Sequence, residues 1–104
     1  KEGKYTSVYI GIGGDSVAKY RAAGIDVGVE SGIVVSQVEP GSPAAKAGIS
    51  KMDIIVSLNG KDIDSLETLR KEMYKYKPGD KVKIGIIKED KKLDVDLTLG
   101  EKKD

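Results

Sequence analysis

Val82-Lys83-Ile84-Gly85-Ile86-Ile87-Lys88, then Glu89-Asp90, then Lys91-Lys92-Leu93-Asp94-Val95-Asp96-Leu97-Thr98-Leu99 is the stretch that decides the fold class. Val82, Ile84 and Ile86 alternate with Lys and Gly. Leu93, Val95, Leu97 and Leu99 alternate with Asp94, Asp96 and Thr98. A period of two puts one set of side chains on each face of a strand, so both runs predict strands with one buried and one wet face. Glu89-Asp90 between them predicts the turn of an antiparallel hairpin.

Upstream, a helix is predicted from about residue 64. Asp64 with Glu67 fits a capping box and Ser65 is the rival cap. Leu66, Leu69, Met73 and Tyr76 are spaced three, four and three apart, near one helical face. Lys75, Lys77 and Pro78-Gly79 end it. Asp53-Ile54-Ile55-Val56-Ser57-Leu58 predicts a strand, Asn59-Gly60 a tight turn because both residues tolerate positive φ, and Lys61-Asp62-Ile63 the return of a small hairpin. Further back, Gly32–Val38 predicts a strand broken by Pro40-Gly41. Ser42–Gly48 predicts one helical turn or two, with Ser42 as N-cap, Pro43 at the first position and Gly48 as the stop. Ser16–Ala23 reads as a short helix capped by Asp15 or Ser16 and closed by Gly24. Val8-Tyr9-Ile10-Gly11-Ile12 reads as a short apolar strand ending at Gly13-Gly14. Five or six short strands joined mainly by turns around two short helices predict an α+β fold, a small and partly open β-barrel or sandwich.

Composition agrees and excludes several functions. The chain has 104 residues, of which Leu, Ile and Val supply 27 and Phe none. That is one domain with a branched-aliphatic core, which favours strands. Charged residues make up 34%, but 18 Lys plus Arg against 17 Asp plus Glu leave a net charge of +1. Nucleic-acid binders concentrate positive charge, so none is expected as partner. The basic ends (Lys1, Lys4, Lys102, Lys103) lie within two residues of an acidic one and read as solvated tails, with 1–7 a linker and 101–104 a C-terminal tail. There is no His and no Cys. This removes His-activated nucleophiles and zinc sites built on His or Cys, and no metal, cofactor or catalytic residue is assigned. No apolar run reaches the length of a membrane span and no signal peptide is read, so this chain is expected to make no membrane contact itself. A start at Lys1 reads as a piece of something longer.

Gly11, Gly13 and Gly14 follow one strand and precede a helix. A dinucleotide fingerprint would need Gly where Ser16 stands, and no P-loop Lys-Ser/Thr follows. Two readings remain. One is a structural bend where the strand leaves the sheet. The other is a loop whose N–H groups converge on an anion, for which a peptide carboxylate suits the apolar setting. A peptide C-terminus also needs an open strand edge and an apolar pocket. Ile10, Gly11 and Ile12 can supply the N–H groups and the edge. Leu69 and Met73 can supply the opposite wall, Met suiting varied ligands. Plain core packing is the rival reading of those two side chains.

Tyr9-Ile10-Gly11-Ile12-Gly13-Gly14 resembles the carboxylate-binding loop of bacterial PDZ domains, above all those of HtrA-type (Deg) serine proteases. Gly32-Ile33-Val34-Val35 with Val38-Glu39-Pro40-Gly41-Ser42-Pro43-Ala44-Ala45-Lys46-Ala47-Gly48-Ile49 resembles the central strand and short helix of the family. Asp53–Gly60, Ser65–Arg70 and Lys77-Pro78-Gly79-Asp80 resemble its next strand, groove helix and helix exit. The likeness runs in order over 8–100, the expected PDZ domain. It implies a circularly permuted bacterial strand order, with the loop at the N-terminal end and Lys92–Leu99 closing the barrel.

The resemblance also implies a site. Tyr9, Ile10, Gly11 and Ile12 would take the carboxylate, and Gly11, Ile12 and Gly13 would form the edge for the peptide strand. Ile10, Ile12, Leu66, Leu69 and Met73 would line the pocket. The implied function is recognition of apolar C-termini exposed by unfolded or misassembled proteins, on behalf of a trypsin-like serine endopeptidase whose protease domain is a second partner. The implied location is extracytoplasmic, in the periplasm or at the cell-envelope exterior, with the parent free or membrane-anchored. The alternative is a PDZ module of another parent, such as a site-2 protease, a C-terminal processing protease or a secretion scaffold.

Overall fold

The computed structural model describes residues 8–101; the expected linker 1–7 and nearly all of the expected tail 101–104 lie outside it. In chain order the elements are β1 (Val8–Tyr9), β2 (Ile12–Ser16), α1 (Val17–Ala22), β3 (Ile33–Val38), α2 (Pro43–Ala47), β4 (Ile54–Leu58), β5 (Lys61–Asp62), α3 (Leu66–Met73), β6 (Lys81–Lys88), β7 (Lys91–Thr98) and β8 (Gly100–Glu101). All three helical stretches form, one more than the strand-and-helix count assumed. The main sheet is antiparallel in the order β2-β3-β4-β6-β7, with β5 paired to β4, and β1 pairs with β8 in a separate two-stranded ribbon. The fold is α+β, and its sheet is open. β7 does not close a barrel: it ends the sheet at the edge opposite β2.

Local signals account for most boundaries. Ser16, Ser42 and Ser65 each cap a helix, accepting from Lys19 N, Ala45 N and Thr68 N. Asp64 instead accepts from the Thr68 hydroxyl at 2.6 Å, so it supports the cap rather than forming it. Gly48 ends α2 at φ 93°, in the left-handed region. Asn59-Gly60 turns with φ 50° and 82°, and Glu89-Asp90 with φ 50° and 67°. Positive φ at both central residues is the backbone of a two-residue hairpin turn that matches strand twist. α3 stops at Met73, earlier than the expected stop signals, and Tyr76 lies beyond it. Its hydroxyl accepts from Asn59 Nδ2 at 2.8 Å, while Asn59 Oδ1 accepts from Lys83 N at 2.7 Å. One turn side chain therefore ties the exit of α3 to the sheet.

The main core lies between the sheet and helices α2 and α3, with Ile33, Ile55, Leu58, Ile84, Ile86 and Leu97 fully buried. A smaller cluster of Val17, Val34 and Ile54 lies under the 15–31 segment, joined by half-buried Tyr20, Val27 and Val29. The β6–β7 hairpin keeps the predicted alternation, but its burial fades toward the turn. Leu97 is buried while Leu93 is 41% exposed, because the tip outruns the core. Among the described residues no helix is long and apolar enough to cross a membrane.

Candidate functional site

The apolar run 8–12 is not one strand. It breaks at Ile10-Gly11, and β2 runs straight through Gly13-Gly14, its register shifting between them in a bulge. Glycine meets one demand at the break and another at the bulge. Gly11 adopts φ +84°, and a Cβ there would lie 2.3 Å from Ser42 Cβ. At Gly14 the chain comes so close to β3 that a Cβ would lie 2.1 Å from the Val34 carbonyl. Glycine is thus required at both places, once for conformation and once for close approach.

The loop is pinned through its carbonyls. Ile10 O accepts from Ala44 N and Gly11 O from Glu39 N, both at 2.9 Å. Among the described residues no protein group accepts the N–H of Ile10 or of Gly11. Acceptors are turned inward and, among the described residues, two donors have no protein acceptor, an arrangement chemically suited to an anion. The Gly11–Glu39 bond also fixes parity. In an antiparallel ladder bonded and non-bonded pairs alternate, so the next pair, Ile12 with Val38, is non-bonded. The N–H and C=O of Ile12 therefore point away from β3, out of the open edge of β2. Gly13 turns the other way, its carbonyl accepting from Ser36 Oγ at 3.2 Å.

Across from that edge stands α3. Between them runs an open groove with a volume of 610 Å³, to which Tyr9, Ile10, Gly11 and Ile12 contribute one wall. Leu66, Leu69 and Met73 contribute the other. Leu69 is 2% and Met73 8% exposed, so these two belong to the core and to the groove floor at once. Ile12 and Leu66 are half-buried at the rim. All the residues expected for loop and pocket thus meet in one groove; Gly13 lies on the same strand but not among the residues lining it.

Three further residues line the groove: Glu39, Arg70 and Tyr74. Arg70 and Tyr74 complete the helical series 66, 69, 70, 73, 74, a face that spacing alone could have extended from Leu66. Glu39 has no local signal. Only the β2–β3 register places it opposite Gly11. Tyr9 donates its hydroxyl hydrogen bond to Glu39 Oε2. That bond, then desolvation, then the Glu39 charge raise the phenol above its ordinary pKa. Among the described residues no group of His, Cys, Asp or Glu could hold a metal ion.

Comparison with known proteins gives a consistent result. The sequence profile of the PDZ domain family matches residues 8–99. The periplasmic pH-dependent serine endoprotease DegQ of Escherichia coli K12 is 42% identical over 90 residues, which is 86% of this chain and 20% of DegQ. This chain therefore spans about a fifth of that relative. Among solved structures, the HtrA-type protease AlgW with a decapeptide superposes with a TM-score of 0.80 at 20% identity, over 95% of this chain and 30% of AlgW. The HtrA3 PDZ domain bound to the phage-derived ligand FGRWV gives 0.78 at 24%, over 96% of this chain and 91% of that one. These two likenesses speak for the fold, and the DegQ match for descent. With an open six-stranded sheet, a pinned donor loop and a helix-walled groove, the chain belongs to the PDZ domain family and is homologous to the PDZ domains of HtrA-type serine proteases.

Proposed function

We propose that this domain captures apolar-ended peptide C-termini by adding them as a strand to the edge of β2. The terminal carboxylate is taken by the N–H groups of Ile10, Gly11 and Ile12. The backbone at Ile12 pairs with the peptide strand, flanked by Gly11 and Gly13. The last side chain enters the pocket formed by Ile10, Ile12, Leu66, Leu69 and Met73. The observation that carries this reading is the pair of N–H donors at Ile10 and Gly11 that no protein group accepts among the described residues, beside an open strand edge. The ligand of the HtrA3 PDZ domain, FGRWV, ends in an apolar valine, which supports the choice of ligand class.

One added strand and one filled pocket form a small interface, for which an affinity of about 1 μM, roughly −8 kcal/mol, is expected. The chain has neither His nor Cys, so we assign it no catalytic step. Its role is to recruit chain ends, or relay their binding, for a trypsin-like protease domain in the same protein. Misassembled or unfolded proteins are the ligand source this suits. The periplasmic relative supports an extracytoplasmic location.

Calorimetric titration with a panel of C-terminal peptides tests the reading, each peptide as free acid and as amide. Apolar-ended acids should bind and their amides should not. Equal binding of acid and amide would refute carboxylate capture. A Leu69→Lys domain that remains folded yet binds an apolar-ended acid like the parent would refute the pocket.

A further inference from the structure

The donor loop has an acidic neighbour. Gly11 O accepts from Glu39 N at 2.9 Å, so the Glu39 backbone lies across from the loop. The Tyr9 hydroxyl lies 3.0 Å from the point that a Gly11 Cβ would occupy, and it donates to Glu39 Oε2. The Glu39 carboxylate is thereby one hydrogen bond away from an atom that touches Gly11. Both side chains line the groove, and Glu39 is the one acidic residue among those lining it. A carboxylate is thus held beside the N–H groups that would receive another carboxylate.

Two like charges a few ångströms apart oppose each other, and a proton on one of them removes the repulsion. The other titratable or charged groups lining the groove are Tyr9 from β1 and Arg70 and Tyr74 from α3. Tyr9 has a single proton to donate, and it is given to Glu39. Arg70 is exposed on the α3 wall, and among the described residues no lysine or arginine pairs with Glu39. Protonation of Glu39 also adds a donor. One carboxyl oxygen keeps accepting from Tyr9, while the O–H on the other can donate to a bound carboxylate.

We propose that Glu39, positioned by Tyr9, links capture of a chain end to uptake of a proton: charged, it opposes the terminal carboxylate, and protonated from solvent, it hydrogen-bonds that carboxylate. The proposal rests on the binding mode given above, and it makes capture stronger in mildly acidic surroundings. At a separation of roughly 6 Å and an effective dielectric constant of about 40, the repulsion weakens binding about tenfold. Between about pH 7.5 and about pH 5 a peptide's own terminus stays ionised and tyrosine, lysine and arginine do not titrate, so a change of affinity there reports a carboxyl of the domain.

The test is calorimetric titration with one apolar-ended peptide that has no titratable side chain and an acetylated N-terminus, as acid and as amide. Each pH is run in two buffers of different ionisation enthalpy, so that the difference in heat counts the protons taken up. The parent domain should bind the acid about threefold more tightly at about pH 5 than at about pH 7.5, taking up a fraction of a proton at the lower value. Glu39→Gln keeps an oxygen for the Tyr9 hydroxyl but has no charge. It should bind the acid about tenfold more tightly than the parent at about pH 7.5, with no proton uptake at either pH. Binding that is indifferent to amidation in the parent overturns the binding mode and this proposal together. Acid-dependent binding that takes up no proton in the parent, or whose proton uptake survives Glu39→Gln, overturns the assignment of Glu39 alone.

Discussion

Replacing Gly11 by Ala should be among the costliest single changes in the loop that lines the groove, and its cost can be divided into two parts. The first is conformational. Gly11 sits at φ +84°, where a Cβ meets the following carbonyl and costs about 1–2 kcal/mol. The second is a collision. The new Cβ would lie 2.3 Å from Ser42 Cβ and 2.7 Å from Ser42 Oγ. Ser42 is 4% exposed and caps α2, so it cannot swing aside without releasing Ala45 N. Displacing it adds about 1–2 kcal/mol, the size of an overpacking penalty or a lost cap. The expected loss is therefore about 2–4 kcal/mol, a large share of the 5–15 kcal/mol typical of a domain. Gly48→Ala is the control. Gly48 has φ +93° but open space where its Cβ would go, so only the first part applies. Chemical denaturation of both variants reads the difference. Ser42→Gly supplies the cross-check, because glycine is a tolerable N-cap and removes both colliding atoms. The double variant Gly11→Ala/Ser42→Gly should recover the collision part and leave the conformational part. If Gly11→Ala costs no more than Gly48→Ala, or if Ser42→Gly rescues nothing, the close approach of loop and helix is wrong.

Three further outcomes follow from particular contacts. Asp53 Oδ2, on a side chain 5% exposed, accepts from Ser50 N at 2.8 Å and pairs with Lys88 Nζ at 2.9 Å. Lys88→Met should cost about 1–3 kcal/mol in denaturant unfolding, below the cost of breaking a fully buried pair because Lys88 is one-third exposed, whereas Asp53→Asn should cost less. The Tyr9 phenol should ionise at higher pH than free tyrosine because Glu39 accepts its proton in a hydrogen bond, and Glu39→Gln should lower that value in an NMR titration. A raised folded-state value means this contribution to stability is complete below the unfolded pKa near 10 and is lost as pH rises through the folded one. The Glu89-Asp90 turn holds two non-glycine residues at positive φ, so replacement by Asn-Gly should raise stability by about 0.5–1 kcal/mol, read as a higher unfolding midpoint; no gain would contradict the turn geometry.

Local patterns made the hairpins, the helix caps and the apolar face of α3 legible, because each is written within a few residues of itself. The Ile10-Gly11 break was not legible. Val8–Ile12 is uniformly apolar apart from Gly11, and Gly13-Gly14 looked the better stop. What decides the matter lies far away in sequence: Ala44 and Glu39 hold the two carbonyls, and Ser42 fills the space beside Gly11. The bulge then absorbs Gly13-Gly14 into β2. Glu39 was missed for the same reason. It sits in a turn-like Val38-Glu39-Pro40-Gly41 context, and only pairing with Gly11 gives it a place in the groove. The mistaken barrel closure is a failure of another kind. Alternation shows that β7 has a buried face, but it does not say which strand, if any, lies on its far side.

The two edges of the open sheet differ in what guards them. An unpaired edge is a template for any extended chain, and proteins guard it with charge, especially lysine. β7 is guarded: Lys91, Lys92, Asp94 and Asp96 are all exposed along it. β2 is not: Ile12, Gly13 and Gly14 carry no charge, and only Asp15 and Ser16 follow. Its protection is geometric. α3 stands across the groove, which the pinned loop at Ile10-Gly11 also lines. In the binding mode proposed above, a chain entering that space finishes at the loop. The proposed capture of chain ends would use the same arrangement that spares β2 from indiscriminate pairing. Binding and stability are accordingly joined at Gly11: a substitution that moves the loop should weaken the fold and the grip on a carboxylate by the same displacement.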